Sequence, residues 1–226
     1  MGIDAMTIPS SVRTHAIPLI MLMVFLAGCQ QPTAMTLPPA PTGPASPATT
    51  SIERPIDVWL LPIEGFPPEL TDYLRSTFSR ELPLNIKASV QTGRSAKMFG
   101  PNRQMIAEQA LAELQTAISR LYDVTPKTVF IILTADDLNG AGGGTRFVFA
   151  QHFHQARVSI VSVARLRNSF FGGADSPAQT KTRLYKMVKK SLGLQFYHYD
   201  RSTELRSVMY SPINSLDDLD ASGTQF

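Results

Sequence analysis

Apolar residues recur along this chain in two rhythms, one typical of buried strands and the other of helices. Continuous apolar runs with β-branched residues occur at 56–63 (IDVWLLPI) and 128–138 (TVFIILTADDL). Such runs predict strands that are covered on both faces of a sheet. Two further runs, at 147–154 (FVFAQHFH) and 156–166 (ARVSIVSVARL), lie next to each other and predict neighbouring antiparallel strands.

The segments between these strands carry apolar residues at helical spacing. A first helix is predicted from the prolines at 67 and 68, and a longer one follows Pro101 with a single apolar stripe from Met105 to Leu121. A third begins after Ser176, a favoured N-cap residue, with Pro177 at the first helical position. We expect this third helix to end at Gly193 in a left-handed conformation.

The order of these elements predicts the fold class. With one more short strand at 85–92, the chain alternates strands and helices and then adds the adjacent strand pair and the third helix. This order indicates an α/β (α+β) domain in which long helices pack on a twisted mixed sheet. The glycine-rich stretch at 140–144 is predicted to be a turn, because it lacks the spacing of phosphate-binding loops and precedes a strand.

The N-terminal 55 residues show neither rhythm and predict export. The uncharged apolar run from Ala16 to Gly28 is too short to span a bilayer, which takes about 20 residues, but it fits the core of a signal peptide. It ends in LAGC, which resembles the lipobox of bacterial lipoproteins. We therefore expect a signal peptide at 1–29 with Cys29 lipidated, a Pro/Thr/Ala-rich tether at 30–55, and a folded domain at 56–226.

The cysteine count, the net charge and the residue after Cys29 restrict the kinds of ligand and partner that the chain is expected to bind. Cys29 is the only cysteine, which excludes an internal disulfide and a multi-cysteine metal site. The net charge of +3 comes mostly from scattered residues and argues against nucleic-acid binding. Since Gln30 and not aspartate follows Cys29, the resemblance to lipoprotein sorting signals implies the outer membrane, facing the periplasm. Membrane lipid on Cys29 and a protein or peptide of the envelope are the expected partners; an ordinary signal peptide with an unrelated cysteine is the alternative.

The end of the third helix fits the frame of a zinc protease without its ligands. The frame HExxHxxGxxH places two zinc-binding histidines four residues apart, with the general-base glutamate beside the first. Anchored on Gly193, its ligand positions fall on Lys186, Lys190 and Phe196, and its base position on Met187. The pair Val208–Met209 matches the methionine turn that follows in such proteases.

From about Ile56 to Asp220 the chain resembles the archaemetzincins, a branch of the metzincin zinc peptidases. The matching segments, in order, are VWLLPIEGFPPEL, YDVTPKTVFIILTADDL, FVFAQHFHQARVSIVSVARL, SLGL and SVMYSPINSLDDLD. The resemblance implies a metzincin (zincin-like) domain whose edge strand lies above a cleft, with the zinc helix below. It also implies a second, structural zinc held by cysteines, which this chain lacks.

The side chains at the motif positions predict a degenerate site. A lysine ammonium has no lone pair for zinc, and methionine cannot transfer a proton. The expectation is therefore a domain without catalytic residues, cofactor or metal, with a binding or structural role. On this prediction Met209 packs in apolar surroundings, and Phe196 fills the volume that metal and imidazole vacated. Lys186, Lys189 and Lys190 are expected on a solvated helix face, or else around an anion-binding pocket.

Two other interpretations stay open at this point. His152 and His154 alternate on one face of a predicted strand, and His198 follows the third helix. These three histidines are candidate displaced ligands of an active zinc-dependent peptidase. A third interpretation is an envelope lipoprotein unrelated to the proteases.

Overall fold

A computed structural model describes residues 54–140 and 147–226, all of them within one unit, Ser51–Phe226. The predicted signal peptide, Cys29 and almost all of the tether lie outside the described residues, as does most of the glycine-rich turn. Within the described part of the chain, no helix is both long and apolar enough to cross a membrane.

A five-stranded mixed sheet lies at the centre of the domain. The strands, in chain order, are β1 (Val58–Pro62), β2 (Ile86–Ala88), β3 (Met105–Ile106), β4 (Val129–Thr134), β5 (Leu138–Asn139), β6 (Ala150–Phe153) and β7 (Val158–Ser162). The central sheet has the order β2–β1–β4–β7–β6, in which only β6, at one edge, runs antiparallel to its neighbour. Strands β3 and β5 form a separate parallel pair.

Helices cover both faces of this sheet. They are α1 (Pro68–Glu81), α2 (Ala107–Ser119), α3 (Pro177–Gln195) and α4 (Leu216–Ala221), with single 3₁₀ turns at Ala96–Met98, Ala164–Leu166 and Asn168–Phe171. Alternate residues of a strand face opposite sides, so Val58 and Leu60 pack with α1 and α3, while Trp59 and Leu61 pack with α2. Strands β1 and β4 are buried along their whole length for this reason.

This architecture confirms the predicted fold class. The continuous apolar runs form β1 and β4, and the adjacent runs form the antiparallel pair, with Gln151 opposite Ile160. Ser176 caps α3 as expected, its side chain accepting a hydrogen bond from the Gln179 N–H. The short helix α4, which begins with a capping box at Ser215, was not predicted.

Helix α3 is the most deeply placed helix of the domain, because every residue from Arg183 to Gln195 is buried. The sheet covers one side, and the chain after the helix folds back over the other. The expectation that Gly193 ends α3 in a left-handed conformation is wrong: the helix runs through it to Gln195. The reason for a glycine at this position therefore lies elsewhere.

Met209 packs directly against the backbone of Gly193. A Cβ atom on Gly193 would lie 2.5 Å from the Met209 sulfur and 3.0 Å from Cε1 of Phe226. Met209 is itself buried, together with Leu194 and Val208. Glycine is thus required for close approach of the C-terminal segment to the helix.

We predict that Gly193→Ala destabilises the protein by about 1–3 kcal/mol, the usual effect of overpacking. This loss is expected even though alanine favours a helix over glycine by about 1 kcal/mol. In a Met209→Ala background the crowding sulfur is absent, and the same substitution should become neutral or stabilising. Chemical denaturation of the four proteins measures this coupling; an equal effect of Gly193→Ala in both backgrounds would contradict the packing argument.

Candidate functional site

A cleft of about 380 Å³ lies between the edge strand β6 and helix α3. Ala150 and His152 line it from β6, and Met187 and Lys190 line it from α3. Residues two apart on a strand, or three apart on a helix, share a face, which explains why these four meet. The segments 147–149 and 211–214, together with Arg201, complete the walls. The edge strand and the helix thus flank a cleft, as the family resemblance implied.

The Lys186 side chain is bonded into the fold away from this cleft. It is 6% exposed, and its Nζ donates to the carbonyl oxygens of Leu219 (2.8 Å), Asp220 (2.9 Å) and Ser222 (2.6 Å). These carbonyls belong to the C-terminal end of α4, where the helix dipole favours a cation. Burial lowers the pKa of Lys186, an effect that Asp220 partly offsets. All three ammonium donors are therefore used.

Lys190 lies at the floor of the cleft and is bonded differently. Its Nζ donates to the carbonyl oxygen of Tyr210. Burial, followed by the positive charge of Arg201, lowers its pKa to about 8. A pKa below the usual value means that the site disfavours the charged form of this lysine.

The expectation of a solvated lysine face on α3 is wrong. Lys186, Lys189 and Lys190 are each only 5–6% exposed. Lys189 donates to the hydroxyl of Tyr185 (2.8 Å) and lies 3.7 Å from a carboxylate oxygen of Glu81. Because α3 is covered on all sides from Arg183 to Gln195, a lysine on any face of that stretch must find partners inside the protein.

Met187 and Phe196 occupy different surroundings. Met187 is 5% exposed, lines the cleft and belongs to the main hydrophobic core. Phe196 is half-buried against that core, its ring 5.2 Å from the ring of Tyr197 in an edge-to-face pair. The described residues that line the cleft do not include Phe196, so the expectation that its ring fills a vacated metal site is not met. The side chains at positions 186, 190 and 196 do not converge on one point.

The three candidate histidines are also divided between two places. His152 is half-buried in the cleft, with Nδ1 2.9 Å from the hydroxyl of Ser159. His154 and His198 are exposed and line a neighbouring concavity with Asp200. Among residues 54–140 and 147–226, no three His, Cys, Asp or Glu side chains lie close enough together to hold a metal ion. The structure does not assemble the displaced-ligand set.

The state of His152 follows from its environment. Burial, together with the positive charges of Arg201, His154 and Lys190, lowers its pKa to about 3. The imidazole is therefore neutral at physiological pH, because the pH lies far above that value. A neutral imidazole offers one N–H donor and one acceptor.

Two contributors to the cleft were missed in the sequence. Ser159 stands directly opposite His152 in the β6–β7 pair, and the polar residue inside the apolar run VSIVS was a signal for it. Arg201 comes from the loop after α3, where no periodic pattern places a side chain. Arg201 reaches the cleft because the chain after α3 folds back over the helix.

Comparison with solved structures shows that this fold is known. It is similar to a zinc-dependent peptidase from Methanocorpusculum labreanum, with a TM-score of 0.64 and 20% identity over 75% of this chain and 95% of that one. It is similar also to archaemetzincin from Archaeoglobus fulgidus complexed with malonate (0.57, 18%, covering 75% and 94%) and from Methanopyrus kandleri (0.59, 22%, covering 76% and 88%). No protein-family model and no curated protein matches the chain.

The comparison confirms the archaemetzincin-like fold and corrects one prediction. The expectation that the domain has no cofactor is wrong for this fold, because a protein that shares it is a zinc-dependent peptidase. Zinc is thus the cofactor that the fold implies. At identities of 18–22%, the likeness shows the fold and not a shared set of ligands.

The side chains at the motif positions do not fit a zinc ion. Zinc takes imidazole, thiolate or carboxylate donors. The ammonium of Lys186 donates to three carbonyl oxygens and that of Lys190 to one, so neither directs a lone pair anywhere. Phe196 has no donor atom at all. This disagreement between fold and donor set is the main chemical feature of the site.

Proposed function

We propose that this chain is an envelope lipoprotein whose archaemetzincin-like domain binds a peptide segment in the β6–α3 cleft without cleaving it. The observation that carries the proposal is the bonding of the α3 side chains. Lys186 and Lys190 donate to backbone carbonyls, and Met187 stands at the position of the general base. The fold keeps a cleft of about 380 Å³ while the chemistry of its floor is changed.

Peptide hydrolysis needs a group that removes a proton from water. The described residues that line the cleft include neither aspartate nor glutamate. His152 has a neutral ring, but its pKa of about 3 makes it a weak base. The positive charges of Lys190 and Arg201 contribute to this low pKa, because they oppose formation of an imidazolium beside them.

Binding, in contrast, needs only features that the cleft retains. Strand β6 is the edge strand of the central sheet, and an edge strand offers backbone N–H and C=O groups to an extended peptide. Ala150 and His152 face the cleft beside that edge. A peptide that adds to β6 would thus place alternate side chains over α3.

Attachment to the membrane is the second part of the proposal. It is supported by LAGC at the end of an uncharged apolar run, with the only cysteine at its final position. Several acyl chains on one residue would give durable anchoring, at roughly 0.8 kcal/mol per buried CH₂ group. The proline-rich segment at 30–55 would then hold the domain away from the outer membrane, facing the periplasm.

The lack of cleavage is tested on the full-length protein with casein and with a mixed peptide library. We expect no hydrolysis, either after addition of zinc or after treatment with a chelator, because no residue of the cleft serves as the base. His152→Ala is the matched control. Zinc-dependent hydrolysis that disappears in His152→Ala would contradict the proposal and support a peptidase with displaced ligands.

The anchor is tested by fractionating cells that express Cys29→Ser. We expect the substitution to abolish incorporation of radiolabelled fatty acid and to release the protein from the membrane fraction. The wild-type chain and a Ser51→Ala variant, altered in the tether, serve as controls. Unchanged labelling and membrane association of Cys29→Ser would show that the lipoprotein assignment is wrong.

A further inference from the structure

Three buried or half-buried cations in the described part of this domain are paired with carboxylates. Arg183 forms two hydrogen bonds to Asp220 (2.6 and 2.7 Å), and Arg165 forms two to Asp137 (2.6 and 2.8 Å). Lys189 lies 3.7 Å from Glu81. Such pairing is expected, because an uncompensated charge inside a protein is costly.

Lys190, which is buried, and Arg201, which is exposed, are bonded differently. Among the described residues, neither has a carboxylate oxygen within 4.0 Å. Both line the β6–α3 cleft, and the described lining contributes no acidic side chain. Lys190 uses one ammonium proton for the Tyr210 carbonyl, and an ammonium has three. The cleft therefore concentrates positive charge that the domain itself does not neutralise.

His152 adds a directed N–H donor to the same cleft. The Ser159 hydroxyl lies 2.9 Å from Nδ1 of His152 and also accepts a weak hydrogen bond from Nε2 of Gln195 (3.4 Å). Ser159 and Gln195 are almost fully buried, so this relay is shielded from water. When this hydroxyl donates to Nδ1, the neutral ring carries its own proton on Nε2, on the side away from Ser159. A neutral, oriented N–H thus stands beside two cations.

We propose that Lys190, Arg201 and His152 bind a carboxylate of the peptide that occupies the cleft, either its C-terminus or an acidic side chain. The inference rests on the proposed function and names the chemistry of its ligand. A carboxylate accepts several hydrogen bonds at once, and charge-assisted bonds are the strongest available. Its negative charge supplies the counter-ion that the described residues lack. The low pKa of Lys190, caused by burial and by Arg201, agrees with a site that is incomplete without an anion.

A second concavity indicates what stands next to that carboxylate. A mostly apolar pocket of about 450 Å³ is lined by Phe147, Phe149, Phe171 and Leu216, and the acidic residue Asp217 also contributes to its lining. It shares Phe147, Phe149 and Asn214 with the cleft, so the two adjoin. The peptide that fits both has a large apolar side chain beside its carboxylate.

The test measures binding of three short peptides to the full-length protein by calorimetry. The probes are acetyl-Ala-Ala-Phe-Glu-amide, its neutral counterpart acetyl-Ala-Ala-Phe-Gln-amide, and acetyl-Ala-Ala-Phe with a free C-terminal carboxylate. Glutamine matches glutamate in shape, so the first pair isolates the charge. We expect at least one of the two carboxylate peptides to bind about tenfold or more tightly than the glutamine peptide. Comparing the glutamate peptide with the peptide that has a free C-terminus shows whether the site prefers a side-chain carboxylate or a C-terminal carboxylate.

Variants identify the groups that make the difference. Lys190→Gln and Arg201→Gln should each weaken binding of the carboxylate peptide and leave the glutamine peptide nearly unchanged. Arg201 is exposed, so its variant keeps the test valid should Lys190→Gln fail to fold. Lys181→Gln, on α3 but outside the cleft lining, should have no effect.

The possible failures are distinguishable. Equal binding of all three peptides would overturn the carboxylate site while leaving peptide binding intact. Absence of binding by every peptide would overturn both the inference and the proposed peptide-binding function. Inorganic phosphate that binds as tightly as the carboxylate peptides, and loses affinity in Arg201→Gln, would overturn the assignment to a carboxylate.

Discussion

The arrangement of this domain depends on one constraint: the part of α3 from Arg183 to Gln195 is buried on all sides although it carries four cations. Arg183, Lys186, Lys189 and Lys190 each have to find partners within the protein, because a buried charge without hydrogen bonds is costly. The chain that follows α3 supplies most of them. Asp220 pairs with Arg183, the end of α4 accepts from Lys186, and Tyr210 accepts from Lys190. The C-terminal segment is thus fixed over the helix by the helix's own charges.

The architecture of the domain resembles that of a zinc-dependent peptidase, but the side chains at the zinc-ligand positions do not suit zinc. The domain keeps the edge strand, the cleft and the close contact between Gly193 and Met209. At two motif positions it has the ammonium groups of Lys186 and Lys190, which donate hydrogen bonds. A zinc site needs side chains that offer a lone pair to the metal. Lys186 donates hydrogen bonds to the end of α4, and Lys190 places a positive charge in the cleft. Lys190, which is incompatible with metal ligation, thus lies in the cleft for which we propose an anionic ligand.

Much of the fold could be read from the sequence, because burial of apolar strands leaves a direct pattern. The runs at 56–63 and 128–138 became β1 and β4, and the N-cap at Ser176 set the start of α3. The surroundings of α3 could not be read in this way. Lysines in a helix usually predict an exposed face. The burial of Lys186 and Lys190 depends on α4 and on the segment around Tyr210, which fold back over the helix. The prediction that Gly193 ends the helix was wrong for a related reason. The need for glycine there is set by the contact with Met209, sixteen positions later in the chain, and not by local backbone preference.

The bonding of Lys186 is the most direct test of this account. Lys186→Met removes the donor from three carbonyl oxygens at the end of α4 while keeping most of the side-chain volume. Equilibrium unfolding should show a loss of about 1–3 kcal/mol, the effect of leaving buried acceptors without partners. Lys97→Met, at a side chain that is 81% exposed, should change stability by less than about 1 kcal/mol. If Lys186→Met is as stable as Lys97→Met, the lysines of α3 do not hold the C-terminal segment, and the account is contradicted.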